Sequence, residues 1–139
     1  MNKGTYKHEQ NKPPSMDEWL KEAKSDSNAL QEGMLLIHNG VVRQTTKAKV
    51  RNGVEDGLQV TGMQFSYDEE KVNAAIAETR LMSGIYHVRV WLNEGQLALG
   101  DDIMYVLIGG DIRPHVVDAL QSLVEKIKTK CVIEIEQVG

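Results

Sequence analysis

The chemistry this sequence offers is carried mainly by its cations. Arg43, Lys47, Lys49 and Arg51 fall within nine residues that contain no acid, in a chain whose net charge is −4. Guanidinium and ammonium groups at that density suit a phosphate or a partner's carboxylate. They equally suit a solvated hairpin whose Lys and Arg protect a sheet edge. A second group is Gly109-Gly110-Asp111 with Arg113, read as a turn between a strand and a helix. Free backbone N–H groups at a helix start attract anions, and Arg113 would reinforce that pull. An Asp-capped glycine turn accounts for the same residues. A third is Lys128 with Lys130, at the end of a long amphipathic stretch. Cations there meet the negative end of the helix dipole, worth about 0.3–1 kcal/mol. A partly buried lysine, or one beside another cation, could also serve as nucleophile or base.

Other chemistries find little support. The histidines are His8, His38, His87 and His115, and none has a second His or Cys at ligand spacing, so they read as structural or surface residues and no metal is expected. Cys131, beside Val132 and Ile133, reads as a small core residue; a reactive thiolate would need help from Lys128 or Lys130. Neither a phosphate-binding G-x-x-x-x-G-K-[ST] loop nor a dinucleotide-binding G-x-G-x-x-G after a strand is present.

At 139 residues, 41% hydrophobic and 26% charged, the chain suits one soluble domain with a real core. Aromatic residues are only 5% of it, so aliphatic side chains must fill that core. The acidic balance argues against a general nucleic-acid binder. No apolar run approaches the roughly 20 residues that span a bilayer, and the N-terminus lacks the apolar stretch of a signal peptide. The single cysteine excludes an internal disulfide. A cytoplasmic protein is expected.

The elements that position the cations follow from periodicity and punctuation. Residues 1 to 15 are polar and read as a tail, with one domain over 16 to 139. Ser15 and Glu18 form a capping box ahead of Trp19, Leu20 and Ala23. Met34 to Ile37 reads as a buried strand. Asn52-Gly53 and Asp56-Gly57 are turn signals, which make a basic hairpin or loop of about 43 to 57. Leu58 to Tyr67 alternates as a strand. Ser66 and Glu69 then suggest a cap for a helix bearing Val72, Ala75, Ile76 and Thr79, closed by Gly84. Ile85 to Leu92 reads as a strand, Asn93-Glu94-Gly95 as a turn, and Ile103 to Ile108 as a central strand. Val116, Val117, Leu120, Leu123, Val124 and Ile127 line one face of a last helix. Cys131, Ile133 and Ile135 read as the inner face of a final strand, with Glu134 and Glu136 in solvent. The expected fold is α+β: a ferredoxin-like β-α-β-β-α-β core from Leu58 onward, preceded by a helix, a strand and a basic hairpin.

Several of these segments recur together in one family. An apolar strand ends in Gly40-Val41-Val42-Arg43, on a Gly-x-Val-Arg pattern. The strand Met63-Gln64-Phe65-Ser66-Tyr67 leads into a helix. Leu92-Asn93-Glu94-Gly95-Gln96-Leu97-Ala98-Leu99-Gly100 lies on the pattern His-Arg-x-Gly-x-Leu-x-x-Gly. Ile112-Arg113 stands where a second His-Arg opens the long helix. Ile127-Lys128 stands at a Leu-Lys, and Val132-Ile133-Glu134-Ile135 at a Pro-x-Trp-Lys. In these respects the chain resembles, from about Met16 to Glu136, the MoaE-type large subunit of molybdopterin synthase. Glycines, apolar frame, Arg43, Arg113 and Lys128 are kept. Both motif histidines are replaced, Asn93 stands for an arginine, Ser66 for a glutamate and Ile135 for a second lysine.

The resemblance implies an α/β-hammerhead type of fold and a homodimer. It implies a partner, a small ubiquitin-like sulfur carrier with a C-terminal Gly-Gly tail, and a pyranopterin phosphate substrate. Sulfur would pass from the carrier's thiocarboxylate to cyclic pyranopterin monophosphate, with no metal or cofactor in the synthase itself. It further implies a catalytic Lys128, with Arg43 and Arg113, together with Arg51 and Lys130, binding substrate or tail. The altered positions also fit another reading, a dimeric binding module that kept the surface and lost the transferase chemistry.

Overall fold

The computed structural model describes residues 12–53, 55 and 57–139. The expected tail thus lies largely outside the described residues, as does Asp56 of the second turn signal. The first helix, α1 (Met16–Lys24), starts where the capping box places it: the Ser15 hydroxyl accepts from the Glu18 N–H. A single 3₁₀ turn, Ala29–Gln31, leads into β1 (Met34–Val41).

The basic segment does not form a hairpin. It folds into a short helix, α2 (Lys47–Asn52). Buried Thr46 caps it, accepting from the Lys49 N–H at 3.2 Å, and Gly53 ends it at φ 66°. The Asn52-Gly53 pair therefore acts as a helix stop, since the left-handed conformation that suits a hairpin turn also suits a helix C-terminus. Strand β2 (Val60–Tyr67) follows, then α3 (Glu69–Arg80), capped by Asp68 rather than Ser66. Next come β3 (Ile85–Leu92), a short and unexpected β4 (Gly95–Ala98) that begins on the last residue of the expected turn, and β5 (Asp102–Gly110). Helix α4 (Arg113–Lys126) runs into a wide π-helical turn, Ile127–Cys131, and β6 (Val132–Val138) ends the chain.

The α+β class is as expected, and the strand pairing refines it. The strands form two antiparallel three-stranded sheets, ordered β1-β5-β3 and β4-β2-β6. A single ferredoxin-like sheet would pair β6 with β2, β2 with β5 and β5 with β3. The two outer pairings form here; the central parallel one does not. Each freed edge takes another strand: β1 lies along β5, and β4 along β2.

The first sheet is covered on both faces. On one, Trp19 and Ala23 of α1 pack with Trp91 and Leu107, and Trp91 meets Tyr105 at a centroid separation of 5.9 Å. The Arg89 guanidinium lies 4.5 Å from the Trp19 ring centroid and pairs with Glu22; His87 Nδ1 lies 3.5 Å from Asp26 Oδ2. On the other face, Val88, Val90, Met104, Val106 and Ile108 join a larger core with Val72 and Ile76 of α3 and Val116 and Leu123 of α4. Gly109 and Gly110 belong to the end of β5 rather than to a turn, and close packing requires them. A Cβ on Gly110 would stand 2.5 Å from the Gly84 carbonyl oxygen and 2.8 Å from Val116. No helix among the described residues is long and apolar enough to cross a membrane.

Two predictions follow from this packing. Gly110→Ala, which meets backbone rather than a yielding side chain, destabilises the fold by about 1–3 kcal/mol or more in urea unfolding, as overpacking does. His87 carries the second. Burial, partly opposed by Asp26, holds its imidazole below the ordinary value of 6.5. The unfolded chain then binds more protons than the folded one just below that value, so this contribution to stability is complete above 6.5 and is lost as the pH falls. Urea midpoints compared between about pH 7.5 and 5 should drop less for His87→Gln than for the wild type.

Candidate functional site

The wide turn Ile127–Cys131 carries the two expected lysines. Its ends, Ile127 and Cys131, are buried, while Lys128, Thr129 and Lys130 are exposed; the Thr129 hydroxyl donates to the Glu125 carbonyl at 2.8 Å. Such π turns cost regular hydrogen bonding and recur at functional positions. The lysines serve different surroundings. Lys128 acts on His38 of β1, while Lys130 acts on Glu78 of α3 and on Cys131. Lys126 makes the direct pair with Glu78, at 2.8 Å. Burial raises the Cys131 thiol well enough to outweigh Lys130, so it stays protonated and behaves as the core residue it was expected to be.

Strand β6 leaves that turn with its pattern reversed from expectation. Ile133 and Ile135 are 62% and 55% exposed, whereas the Glu134 side chain is only 8% exposed. The physical reason is α2. Lys47 Nζ reaches Glu134 Oε2 at 2.8 Å, and the Lys47 N–H donates to Glu136 Oε1 at 3.2 Å. The inward glutamates are counter-ions for the basic helix, which fixes it against β6. Arg43, just beyond β1, is exposed and donates from Nε to the Thr45 carbonyl at 3.0 Å. Arg51 is exposed in the last turn of α2, and Lys49 pairs with Glu55 at 3.3 Å.

Arg51 lies on α2, which Lys47 ties to β6, the strand that leaves the turn bearing Lys128, and Arg43 stands between β1 and α2. Arg113 lies elsewhere. It opens α4 while Lys128 follows its end, so roughly 20 Å of helix separates them at 1.5 Å per residue. The helix start beside Arg113 is also already provided for. Asp111 Oδ1 accepts from the Ile112 N–H at 2.6 Å and lies 2.8 Å from His115 Nδ1, a contact that holds the carboxyl below its usual range. An incoming anion there would face this carboxylate.

Asn93, at the first motif's arginine position, is buried, and its Nδ2 donates to the Asp102 carbonyl at 2.9 Å. It lines an open cavity of about 390 Å³ with Pro13, Gln96, Leu97, Gly100, Asp101 and Asp102, which includes none of the expected site residues. Among the described residues, no cluster of three or more His, Cys, Asp or Glu side chains could hold a metal ion.

Sequence reasoning missed two features of this region. In the sequence nothing parts His38 from the structural histidines, yet its alternation with Met34 and Leu36 sets it on the face that packs into the main core, towards α4. The roles of Glu134 and Glu136 were inverted. The signal was the acid-free basic run at 43–51, whose charges need counter-ions from elsewhere in the chain.

With this geometry in place, comparison with known proteins identifies the family. The family model described as "MoaE protein" matches residues 9–130, and the chain belongs to that family. No curated protein matches the sequence. Among solved structures, the chain is similar to molybdopterin synthase from Staphylococcus aureus, with TM-score 0.73 and 16% identity over 100% of this chain and 94% of that one. It is also similar to a molybdopterin biosynthesis MoaE protein from Burkholderia ambifaria MC40-6, with TM-score 0.69 and 17% identity over 93% and 84% of the two chains. A third likeness is to a chain in the complex of subunits 1 and 2 of molybdopterin-converting factor from Helicobacter pylori 26695, with TM-score 0.61 and 16% identity over 88% and 78%. At these identities the structures establish the shared fold.

The α2 attachment is directly testable. Lys47→Met leaves the buried Glu134 carboxylate unpaired and should cost about 1–3 kcal/mol in denaturant unfolding. Adding Glu134→Leu to it should recover most of that loss, because replacing both partners removes the unpaired charge.

Proposed function

We propose that this chain is a divergent large subunit of a molybdopterin synthase, moving sulfur from a small subunit's C-terminal thiocarboxylate to cyclic pyranopterin monophosphate. Membership of the MoaE family supports a role in molybdenum cofactor biosynthesis. The likeness to a chain from a two-subunit molybdopterin-converting factor supports a small-subunit partner. The observation that carries the finer reading is the retained Lys128, exposed on an ordered wide turn and joined through β6 and α2 to Arg43 and Arg51. In this reading the arginines hold the substrate phosphate or the tail carboxylate by charge-assisted hydrogen bonds. Lys128 neutralises the thiocarboxylate and is placed for proton transfer. Lys130, whose charge also favours the ionised Glu78, contributes to the field around the turn. Arg113 reaches a Lys128 site only from a second copy of the chain, and the working unit is a homodimer.

A binding module without turnover is the second reading. It is favoured by Ile135, which stands exposed at the second lysine position, and by Asn93, whose amide is committed to the backbone. The deciding assay combines the protein with thiocarboxylated small subunit and precursor and measures molybdopterin. Product is expected, and Lys128→Ala should lower its rate by about 100-fold or more, the usual scale for losing a proton-transfer group. Tight small-subunit binding by calorimetry with no product would instead establish the binding module.

A further inference from the structure

His38 lies midway along β1, directly opposite Val106 of β5. Side chains alternate along a strand, so His38 shares the face of Met34 and Leu36, which pack into the main core. On that face β5 presents Met104, Val106 and Ile108, and α4 with the wide turn contributes Leu120, Val124 and Ile127 to the same core, none of them titratable. Within this apolar setting the imidazole Nε2 is closed off from solvent and has no hydrogen-bond partner. Buried polar atoms are nearly always paired, and one left unpaired asks for a reason.

The charge that acts on His38 is the ammonium of Lys128. Burial, and then that ammonium, hold the imidazole below its ordinary value, so it is neutral at pH 7. A neutral imidazole offers one N–H and one lone pair; a lysine ammonium offers three donors and no acceptor. The two groups are therefore complementary, and the imidazole extends towards the Gly40 end of β1, its Nε2 3.7 Å from where a Cβ on Gly40 would stand.

We infer that His38 is a positioning residue for Lys128: its unpaired nitrogen accepts a hydrogen bond from the Lys128 ammonium as that side chain swings in over β1, and this sets where the ammonium meets the anionic substrate. The inference rests on the reading of Lys128 as the working residue of sulfur transfer. It gives this chain a second nitrogen base at the site, from a different strand than the one where Ile135 replaces a lysine.

The test has two arms. Imidazole NMR of the full chain follows the His38 titration directly. Its midpoint should lie below 6.5 and rise towards that value in Lys128→Met. In the molybdopterin assay, wild-type kcat should decline in acid at the His38 midpoint. His38→Phe should lower kcat by about tenfold with little change in KM, the scale of a misplaced catalytic group. His38→Gln, a neutral acceptor at every pH, should restore most of that rate and abolish the acid decline. A His38 midpoint unmoved by Lys128→Met overturns the pairing, and so does an acid decline that survives in His38→Gln. If the wild type makes no molybdopterin, the sulfur-transfer reading fails by itself, while the NMR arm still decides whether the two side chains are paired.

Discussion

The first sheet and the helices packed on it answer to the need to cover β5 on both faces. Its residues Ile103 to Ile108 are apolar almost without interruption, and Met104, Val106, Leu107 and Ile108 are fully buried. A strand of that kind demands a layer on each side of its sheet. The Trp19 face of α1 supplies one, and α3 with α4 supplies the other. The glycines at the end of β5 let the connection from α3 and the first turn of α4 come within a few ångströms of the backbone. Once α4 is seated in this way, the wide turn at its far end, and the lysines on it, have a fixed place relative to β1.

The division into two sheets has its own logic. Opening the central parallel pairing of a split βαβ arrangement would expose two rows of backbone donors and acceptors. Here β1 and β4 take up those rows. The second sheet then uses β6 as a bridge: it departs from the turn bearing Lys128 and receives the basic helix through its inward glutamates. Anchoring α2 by charge leaves its remaining cations at the surface, without any apolar contribution to the core.

Much of this was legible in the sequence. Ser15 with Glu18 marks α1, Val72 through Thr79 mark α3, and the Val116-to-Ile127 stripe marks α4, because each combines a helical period with a recognisable end. The strands were legible as strands, but local pattern says nothing of which edge meets which, so the split into two sheets was not. Helix α2 was hidden because Asn-Gly serves hairpin turns and helix ends alike, and six residues give too short a window for periodicity. The facing of β6 was misread because an alternating Ile/Glu strand has two chemically distinct sides, and only a distant lysine decides which is inside. For the site, α2 and β6 link the element bearing Arg51 to the strand that leaves the Lys128 turn, while the length of α4 parts Arg113 from Lys128. His38 lacks any local mark; its importance appears only when β1 is laid beside the wide turn.

That turn also sets an angular phase for the end of the chain. Residues in an α-helix advance about 100° each, so side chains two apart point well away from one another and those four apart nearly coincide. The wider path of Ile127–Cys131 keeps both its end residues in the core while the lysines between them serve β1 on one side and α3 on the other. Removing a single residue from this loop would tighten it to α-helical winding. Deleting Thr129 would keep both lysines, yet it would change the spacing that now lets Lys128 act on β1 and Lys130 on α3. In this fold the length of one turn, as much as the identity of any residue in it, decides which neighbours its cations meet.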